Sequence, residues 1–231
     1  RGYQRFVPEQ ILRFLEKQTV TDVALGDQVQ KEMTILFSDI RNFTTISEKL
    51  TPKENFDFLN EYLRTMGPVV REHHGFIDKY IGDAIMALFP QSADDAIAAS
   101  LSIINKLYDF NQYMIAQNMK PIGIGIGIHT GLLMLGILGE SERMDGTVIS
   151  DNVNLASRLE GLTKQYKTAL IISETVLAGV KLVDRYLFRY LGLVQVKGKN
   201  QPIGIYEVLD ALSQSERELR TVSKKQFEDG I

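Results

Sequence analysis

Seven residues near the middle of the chain, from Ile122 to Ile128, alternate between isoleucine and glycine without a break. Successive side chains of a β-strand point to opposite faces, so this pattern predicts a strand with one isoleucine face and one bare face. Glycine inside a strand allows another part of the molecule to approach the backbone closely. We therefore expect either a helix or a ligand to lie against the bare face.

The residues before this strand predict four further elements. Apolar β-prone runs predict a buried strand over 34–39 and a hairpin over 75–89. Apolar residues at helical spacing predict one helix over 51–70 and a second helix over 96–116. With the alternating strand they give the order β-α-β-β-α-β of a ferredoxin-like core. We therefore expect an α+β fold in which helices cover one face of an antiparallel sheet.

The second half of the chain predicts an appended αβαββ segment. A turn at 129–131 leads into a second apolar strand over 132–138. His129 in that turn is interpreted as a turn or core histidine rather than as a general base. A helix over 153–162 and a strand over 169–172 follow. Ser173 is then expected to cap a short helix that starts at 174, and a β-rich stretch covers 188–208.

Composition divides the chain into three predicted parts. Residues 1–30 are expected to be a connector from an upstream sensor region, because the chain starts with Arg1 rather than Met. Residues 31–209 form the main domain. Residues 210–231 are a charged, apolar-poor tail, expected to be a solvated or frayed helix.

Composition also excludes several classes of function. The 231 residues contain no cysteine, which rules out thiolate zinc sites, disulfide scaffolds and cysteine nucleophiles, and which fits the cytoplasm. The net charge is −3, whereas a protein that binds nucleic acid usually carries a surplus of basic residues. The charge therefore argues against a nucleic-acid partner. No apolar run approaches the roughly 20 residues of a transmembrane helix, so no membrane contact is expected.

Two carboxylates follow predicted strands and are candidates for a metal site. Asp39 ends the first strand, and Asp83 lies in the turn of the hairpin. Because a β-α-β-β unit places these strands side by side, the two residues could together hold Mg²⁺, which prefers oxygen ligands and substrate phosphates. The alternative is that Asp39 caps a helix and Asp83 only forms a turn.

Other polar residues allow two interpretations each. Asn154 and Arg158 share one helix face at i, i+4 spacing and could clamp a ribose and a phosphate, or form an exposed polar stripe. Lys79 on a strand, and the lysines of 196–199 in a hairpin, are on pattern alone more typical of solvated side chains.

Four motifs resemble those of class III nucleotidyl cyclase catalytic domains. They are Phe37-Ser-Asp-Ile-Arg-Asn-Phe-Thr44, Lys79-Tyr-Ile-Gly-Asp-Ala-Ile-Met86, Thr147 with Asn154-Leu-Ala-Ser-Arg158, and Val196-Lys-Gly-Lys199. They occur in the family's order, and the resemblance spans Lys31 to Leu209. Together they are far more specific than any one of them.

The resemblance implies a two-metal site for a nucleoside triphosphate. Asp39 and Asp83 match the metal-binding carboxylates, and the backbone carbonyl of Ile40 matches a further ligand. Two Mg²⁺ ions per site are implied, with Mn²⁺ as a substitute. The family's phosphate-cradling backbone amides match Asn42, Phe43 and Thr44.

The resemblance also implies roles for side chains elsewhere. Asn154 would orient the ribose, and Arg158 would stabilise charge on the α-phosphoryl group. Lys197, and more loosely Arg143, match residues that bind the triphosphate.

Two further positions would read the purine. Lys79 and Thr147 match the pair that favours adenine, whereas guanylate cyclases carry Glu and Cys there. Threonine replaces the commoner Asp, which resembles the subgroup containing bicarbonate-responsive soluble enzymes.

The implied reaction converts ATP to 3′,5′-cyclic AMP and pyrophosphate. Family members form head-to-tail dimers in which one subunit supplies the metal carboxylates and the other supplies the base, ribose and phosphate residues. This chain carries both sets, so a homodimer with two equivalent sites is expected. The alternatives are a guanylate cyclase, a diguanylate cyclase, which should carry a Gly-Gly-Asp/Glu-Glu-Phe turn that this chain lacks, and an inactive nucleotide-binding regulatory module.

Overall fold

The computed structural model describes residues 9–140, 142–195 and 202–231. Its strands are β1 (Gln28–Ile40), β2 (Phe76–Ile81), β3 (Ala84–Phe89), β4 (Ile124–Glu140), β5 (Arg143–Ile149), β6 (Leu170–Ser173), β7 (Phe188–Val194) and β8 (Ile203–Val208). Its helices are α1 (Glu9–Phe14), α2 (Phe43–Ser47), α3 (Pro52–Glu72), α4 (Ala93–Ala116), α5 (Asp151–Gln165), α6 (Glu174–Gly179) and α7 (Gln214–Glu228).

The described strands form one sheet in the order β2-β3-β1-β4-β6-β8-β7, with β5 paired to β4 outside this path. All pairs are antiparallel except β4 with β6. The first strands and helices follow the predicted β-α-β-β-α-β order. The predicted α+β class with an antiparallel-dominated sheet is confirmed.

The two faces of β4 explain how the helices are arranged. Ile126 and Ile128 pack in one core cluster with α3 and α4, the helices predicted to cover one face. The glycines between the isoleucines point to the opposite face, where α5 lies. A side chain at Gly127 would collide with the backbone of Glu160 in α5. The bare face of the alternating strand therefore receives a helix, one of the two expected occupants.

Three details of β4 and its neighbours differ from the sequence predictions. The turn predicted at 129–131 is wrong, because β4 continues through these residues while it pairs with β1. The same pairing starts β1 at Gln28, six residues before the predicted strand over 34–39. Strand β5 was not predicted as a strand. It extends β4 into a two-stranded arm, and several of its residues are exposed.

His129 has the core role that was expected of it, although it lies in a strand and not in a turn. The residue is 1% exposed. Nδ1 lies 2.8 Å from the hydroxyl of Ser173, and Nε2 lies 3.1 Å from Oδ1 of Asn152 at the start of α5. His129 therefore links β4 to two neighbouring segments.

The tail forms α7, and one side of this helix is held against the sheet. The guanidinium of Arg220 pairs with the fully buried Glu207 of β8 and donates to the carbonyl of Lys167. Phe227 packs beside a core cluster that includes Ile205. The predicted helix is confirmed, and its inner side is docked rather than frayed. The predicted domain boundaries stay predictions. None of the described helices combines the length and apolar character needed to cross a membrane.

Candidate active site

Two carboxylates converge where β1 ends beside the β2–β3 turn. Because β1 pairs with β3, with Ser38 opposite Ile85, the turn that carries Asp83 lies next to Asp39. The backbone N–H of Ile40 donates to Oδ1 of Asp39 at 3.1 Å and to Oδ2 of Asp83 at 3.2 Å. Burial and the neighbouring Asp39 raise the pKa of Asp83 to about 7. Two carboxylates are thus held together in a half-buried position, where ionising both of them is costly.

This donor set fits a divalent cation. Ionised carboxylates at one point repel each other, and a hard cation relieves that repulsion while taking their oxygens as ligands. The described residues contain no group of three or more His, Cys, Asp and Glu side chains that could hold a metal. A cation here would therefore complete its coordination with water or substrate phosphates, as Mg²⁺ commonly does.

An ion pair joins the carboxylate site to α5. Nη1 of Arg41 lies 3.2 Å from Oε1 of Glu160, and the same guanidinium donates to Thr163. The guanidinium crosses the surface of Gly125, where a side chain would displace it. Burial, and secondarily Asp39, raise the pKa of Glu160 to about 7. Arg41 therefore fixes α5 over the end of β1.

The residues predicted to cradle phosphates directly follow the carboxylate site. Asn42 adopts a left-handed backbone conformation with φ of 55° and precedes α2, which contains Phe43 and Thr44. The first N–H groups of a helix have no acceptor within the helix. The chain therefore presents backbone N–H groups without intrahelical acceptors a few residues from Asp39.

The two predicted purine-reading residues are in contact within one chain. Nζ of Lys79 in β2 donates to Oγ1 of Thr147 in β5 at 2.8 Å, although the residues are 68 positions apart. Both side chains are partly exposed. One donor and one hydroxyl are thus presented side by side.

Helix α5 directs its other predicted residues away from the sheet. Its first turn is anchored on β4, because Asn152 Nδ2 donates to the carbonyl of Leu132 at 2.9 Å. Its inner side carries buried Leu155 and Leu159. Asn154 and Arg158 are exposed, and within the described parts of the chain neither has a hydrogen bond or an ion pair. The structure does not bring them to the carboxylate pair of the same chain.

The two remaining predicted residues lie away from these groups. Arg143 is the exposed first residue of β5 and pairs in register with Glu140 at the tip of the arm. Lys197 and the motif 196–199 lie outside the described residues.

Sequence reasoning assigned no role to Arg41, Glu160 or Asp78. Arg41 follows the predicted metal ligands directly, and Glu160 follows Arg158 by two residues, but no local pattern connects positions 119 residues apart. Asp78 is a buried carboxylate beside Lys79. The one indication of a role for Asp78 in the sequence is its position directly before Lys79.

The fold agrees with one family of known proteins. Residues 26–209 match the family of adenylate and guanylate cyclase catalytic domains, and the chain belongs to this family. Proteins of the family generally use divalent metal ions.

Individual relatives make this comparison more specific. An adenylate cyclase of Anabaena cylindrica is 43% identical over 213 residues, which cover 90% of this chain and 42% of that protein. A structure of a bacterial light-regulated adenylyl cyclase has a TM-score of 0.80 at 30% identity, covering 99% of this chain and 66% of that one. The guanylyl cyclase Cya2 has a TM-score of 0.70 at 34% identity, covering 78% and 93%. The chain thus spans less than half of the length of the Anabaena relative.

Proposed function

We propose that this domain is an adenylate cyclase that converts ATP to 3′,5′-cyclic AMP and pyrophosphate in sites shared by two copies of the chain. The observation that carries the proposal is the convergence of Asp39 and Asp83 on one backbone N–H at the end of β1. Placed in a cyclase family fold, such a pair suits a metal–triphosphate complex.

Asp39, Asp83 and the carbonyl of Ile40 would hold two Mg²⁺ ions, with Mn²⁺ as a substitute. When bound, these ions supply acidification of the ribose 3′-hydroxyl and neutralisation of charge on the triphosphate. The amides of Asn42, Phe43 and Thr44 bind phosphate oxygens at the start of α2.

The remaining catalytic work is positioning and electrostatic stabilisation. Asn154 orients the ribose so that its 3′-oxygen lies in line with the α-phosphorus and the departing pyrophosphate. Arg158 donates to the α-phosphoryl oxygens, whose charge grows as the new bond forms. Lys197 and Arg143 bind the triphosphate. No covalent enzyme intermediate is needed, because the ribose supplies the nucleophile.

Lys79 and Thr147 read the adenine edge. The Lys79 ammonium donates to N1, and the Thr147 hydroxyl accepts from the 6-amino group. Guanine carries a hydrogen on N1 and would meet the ammonium with a second donor. The 2.8 Å contact between the two side chains supports a joint role.

A second copy of the chain completes each site. Asn154 and Arg158 face away from Asp39 and Asp83, so a partner is needed to bring one set to the other. The arm formed by β4 and β5 offers apolar surface for such a partner. Its exposed large side chains are Leu132, Met134, Leu138, Met144 and Ile149.

The setting of the domain is also part of the proposal. We place it in the cytoplasm, where ATP is available, downstream of a sensor region that precedes it in the full-length protein. Lys79 and Thr147 at the base-reading positions support membership of the Thr-bearing subgroup. Equal initial rates in bicarbonate and chloride at fixed pH would separate it from the bicarbonate-responsive members.

GTP is the competing substrate, because a guanylyl cyclase is among the similar structures. Product analysis separates the two: the purified protein is incubated with Mg²⁺ or Mn²⁺ and either ATP or GTP. We expect cyclic AMP and pyrophosphate in equal amounts from ATP, little product from GTP, and none from 3′-deoxy-ATP, which lacks the nucleophile. Predominant cyclic GMP would contradict the base assignment, and absence of any cyclic product would contradict the activity.

A further inference from the structure

Asp78 is a buried carboxylate that has no role in the reaction proposed above. Its side chain is fully inaccessible to solvent, and neither carboxylate oxygen has a hydrogen bond within the described residues. The Lys79 ammonium lies 3.4 Å from Oδ2. Burying a carboxylate with so little compensation is costly, and a well-packed apolar residue would serve stability better.

A β-bulge places Asp78 and Lys79 together. The register of β2 with β3 runs from Ile77 opposite Ala87 directly to Lys79 opposite Met86, so Asp78 is the extra residue. Neighbouring side chains on a regular strand point to opposite faces. The bulge moves Lys79 to the face of Met86, which packs in the cluster beneath α5. Bulges commonly redirect side chains in this way next to active sites.

The Lys79 head group is thereby held on two sides. Asp78 lies at 3.4 Å, and Thr147 accepts a hydrogen bond at 2.8 Å. An ammonium has three donors, so these contacts leave a direction free for a ligand. The lysine side chain is 37% exposed, which gives a ligand access to it.

We propose that Asp78 is a positioning residue for adenine selectivity, which holds the Lys79 ammonium in the direction from which it donates to N1 of the bound base. This inference rests on the proposed base-reading role of Lys79. Asp78 acts through Lys79 and does not touch the nucleotide. Burial raises the pKa of Asp78, with Asp145 of β5 adding to the effect and Lys79 opposing it.

The test compares ATP with 1-deaza-ATP, in which a C–H group replaces N1. Steady-state KM and kcat are measured for both nucleotides in the parent, Asp78→Asn, Lys79→Met and the double variant. For Asp78→Asn we expect KM for ATP to rise about tenfold, the size of one weakened hydrogen bond from a charged donor. We expect kcat to stay within about twofold, because uniform binding and not transition-state binding is lost.

Two further results follow from the same idea. KM for 1-deaza-ATP should be equal in parent and Asp78→Asn, since that base lacks the acceptor. In the Lys79→Met background, Asp78→Asn should have no additional effect. Asp57→Asn is the matched control: it removes an exposed aspartate paired with Lys53 at 2.7 Å and should leave both KM values unchanged.

The failures are distinguishable. If the parent binds ATP and 1-deaza-ATP equally well, the base-reading role of Lys79 is wrong and the inference falls with it. If the parent discriminates and Asp78→Asn discriminates as strongly, only the inference is overturned. Equal increases in KM for both nucleotides, or a lower thermal unfolding temperature, would mean that Asp78 is structural.

Discussion

Two polar groups of this chain differ in almost every physical respect. Asp39 and Asp83 are half-buried, converge on one N–H and lie beneath the inner face of α5. Asn154 and Arg158 stand exposed on the outer face of the same helix and make no polar contact within the described residues. The first group is held in place by the fold, whereas the second lies open on the surface and, in the proposed function, contacts a second copy of the chain.

In the proposed function, these two groups are half-sites of one chain that face in different directions. The Arg41–Glu160 ion pair keeps them in a fixed relation, because it ties α5 to the strand end that carries Asp39. Neither half is sufficient for the proposed reaction. Substitutions in the two groups are therefore expected to have different effects on activity and stability.

The largest effect is expected for the carboxylate half. Asp83→Asn should lower turnover of ATP about 1,000-fold, because one ligand to the catalytic cations loses its charge. It should not destabilise the fold, since it also removes repulsion with Asp39. Cyclic AMP formation and thermal unfolding are measured side by side, with exposed Asp57→Asn as control. Near-normal turnover would remove the metal assignment.

The next effect concerns the contact that sets the direction of α5. Gly127→Ala should destabilise the protein by about 3 kcal/mol, because the new methyl group meets helix backbone rather than a movable side chain. Gly161→Ala is the matched control on α5, where nothing lies within 4 Å; it should stabilise by about 0.5–1 kcal/mol through helix propensity. Equal free energies of unfolding for the two variants would show that α5 does not rest on β4 as described.

A smaller effect is expected for the exposed half. Arg158→Ala should lower kcat about 100-fold, as for loss of one charged donor in a transition state. Its free energy of unfolding should equal that of the parent, because the exposed side chain makes no hydrogen bond or ion pair with any described residue. Loss of stability together with activity would mean that Arg158 supports the fold and that the two groups are not distinct.

Local patterns predicted the parts of the fold that depend on neighbouring residues. The alternation of 122–128 indicated both the strand and a close approach to its bare face, because glycine spacing encodes them directly. The helix predicted over 51–70 is also present as α3, which the structure caps through Thr51 and Glu54.

The errors came from long-range pairing. His129-Thr-Gly131 was predicted as a turn, yet pairing with β1 keeps it extended, and a single segment carries no information on its partner. The Arg41–Glu160 and Lys79–Thr147 contacts join residues 119 and 68 positions apart, so only the folded chain reveals them. Strand ends and helix spacing indicated Asp39, Asp83, Asn154 and Arg158 as candidates, whereas the specific roles of the site residues came from resemblance to the family and stay predictions.

The most direct test of the shared site is complementation between the two groups. Asp39→Ala and Arg158→Ala are purified separately and mixed under conditions where exchange of subunits is shown independently. Each variant alone is nearly inactive.

In a mixed dimer, one site inherits both changes and the other inherits neither. With equal amounts and free exchange, half of the dimers are mixed and half of their sites are intact, so activity should recover to about a quarter of the parent value. Recovery should decline on dilution as dimers dissociate. No recovery despite proven exchange would mean that each site is built within a single chain.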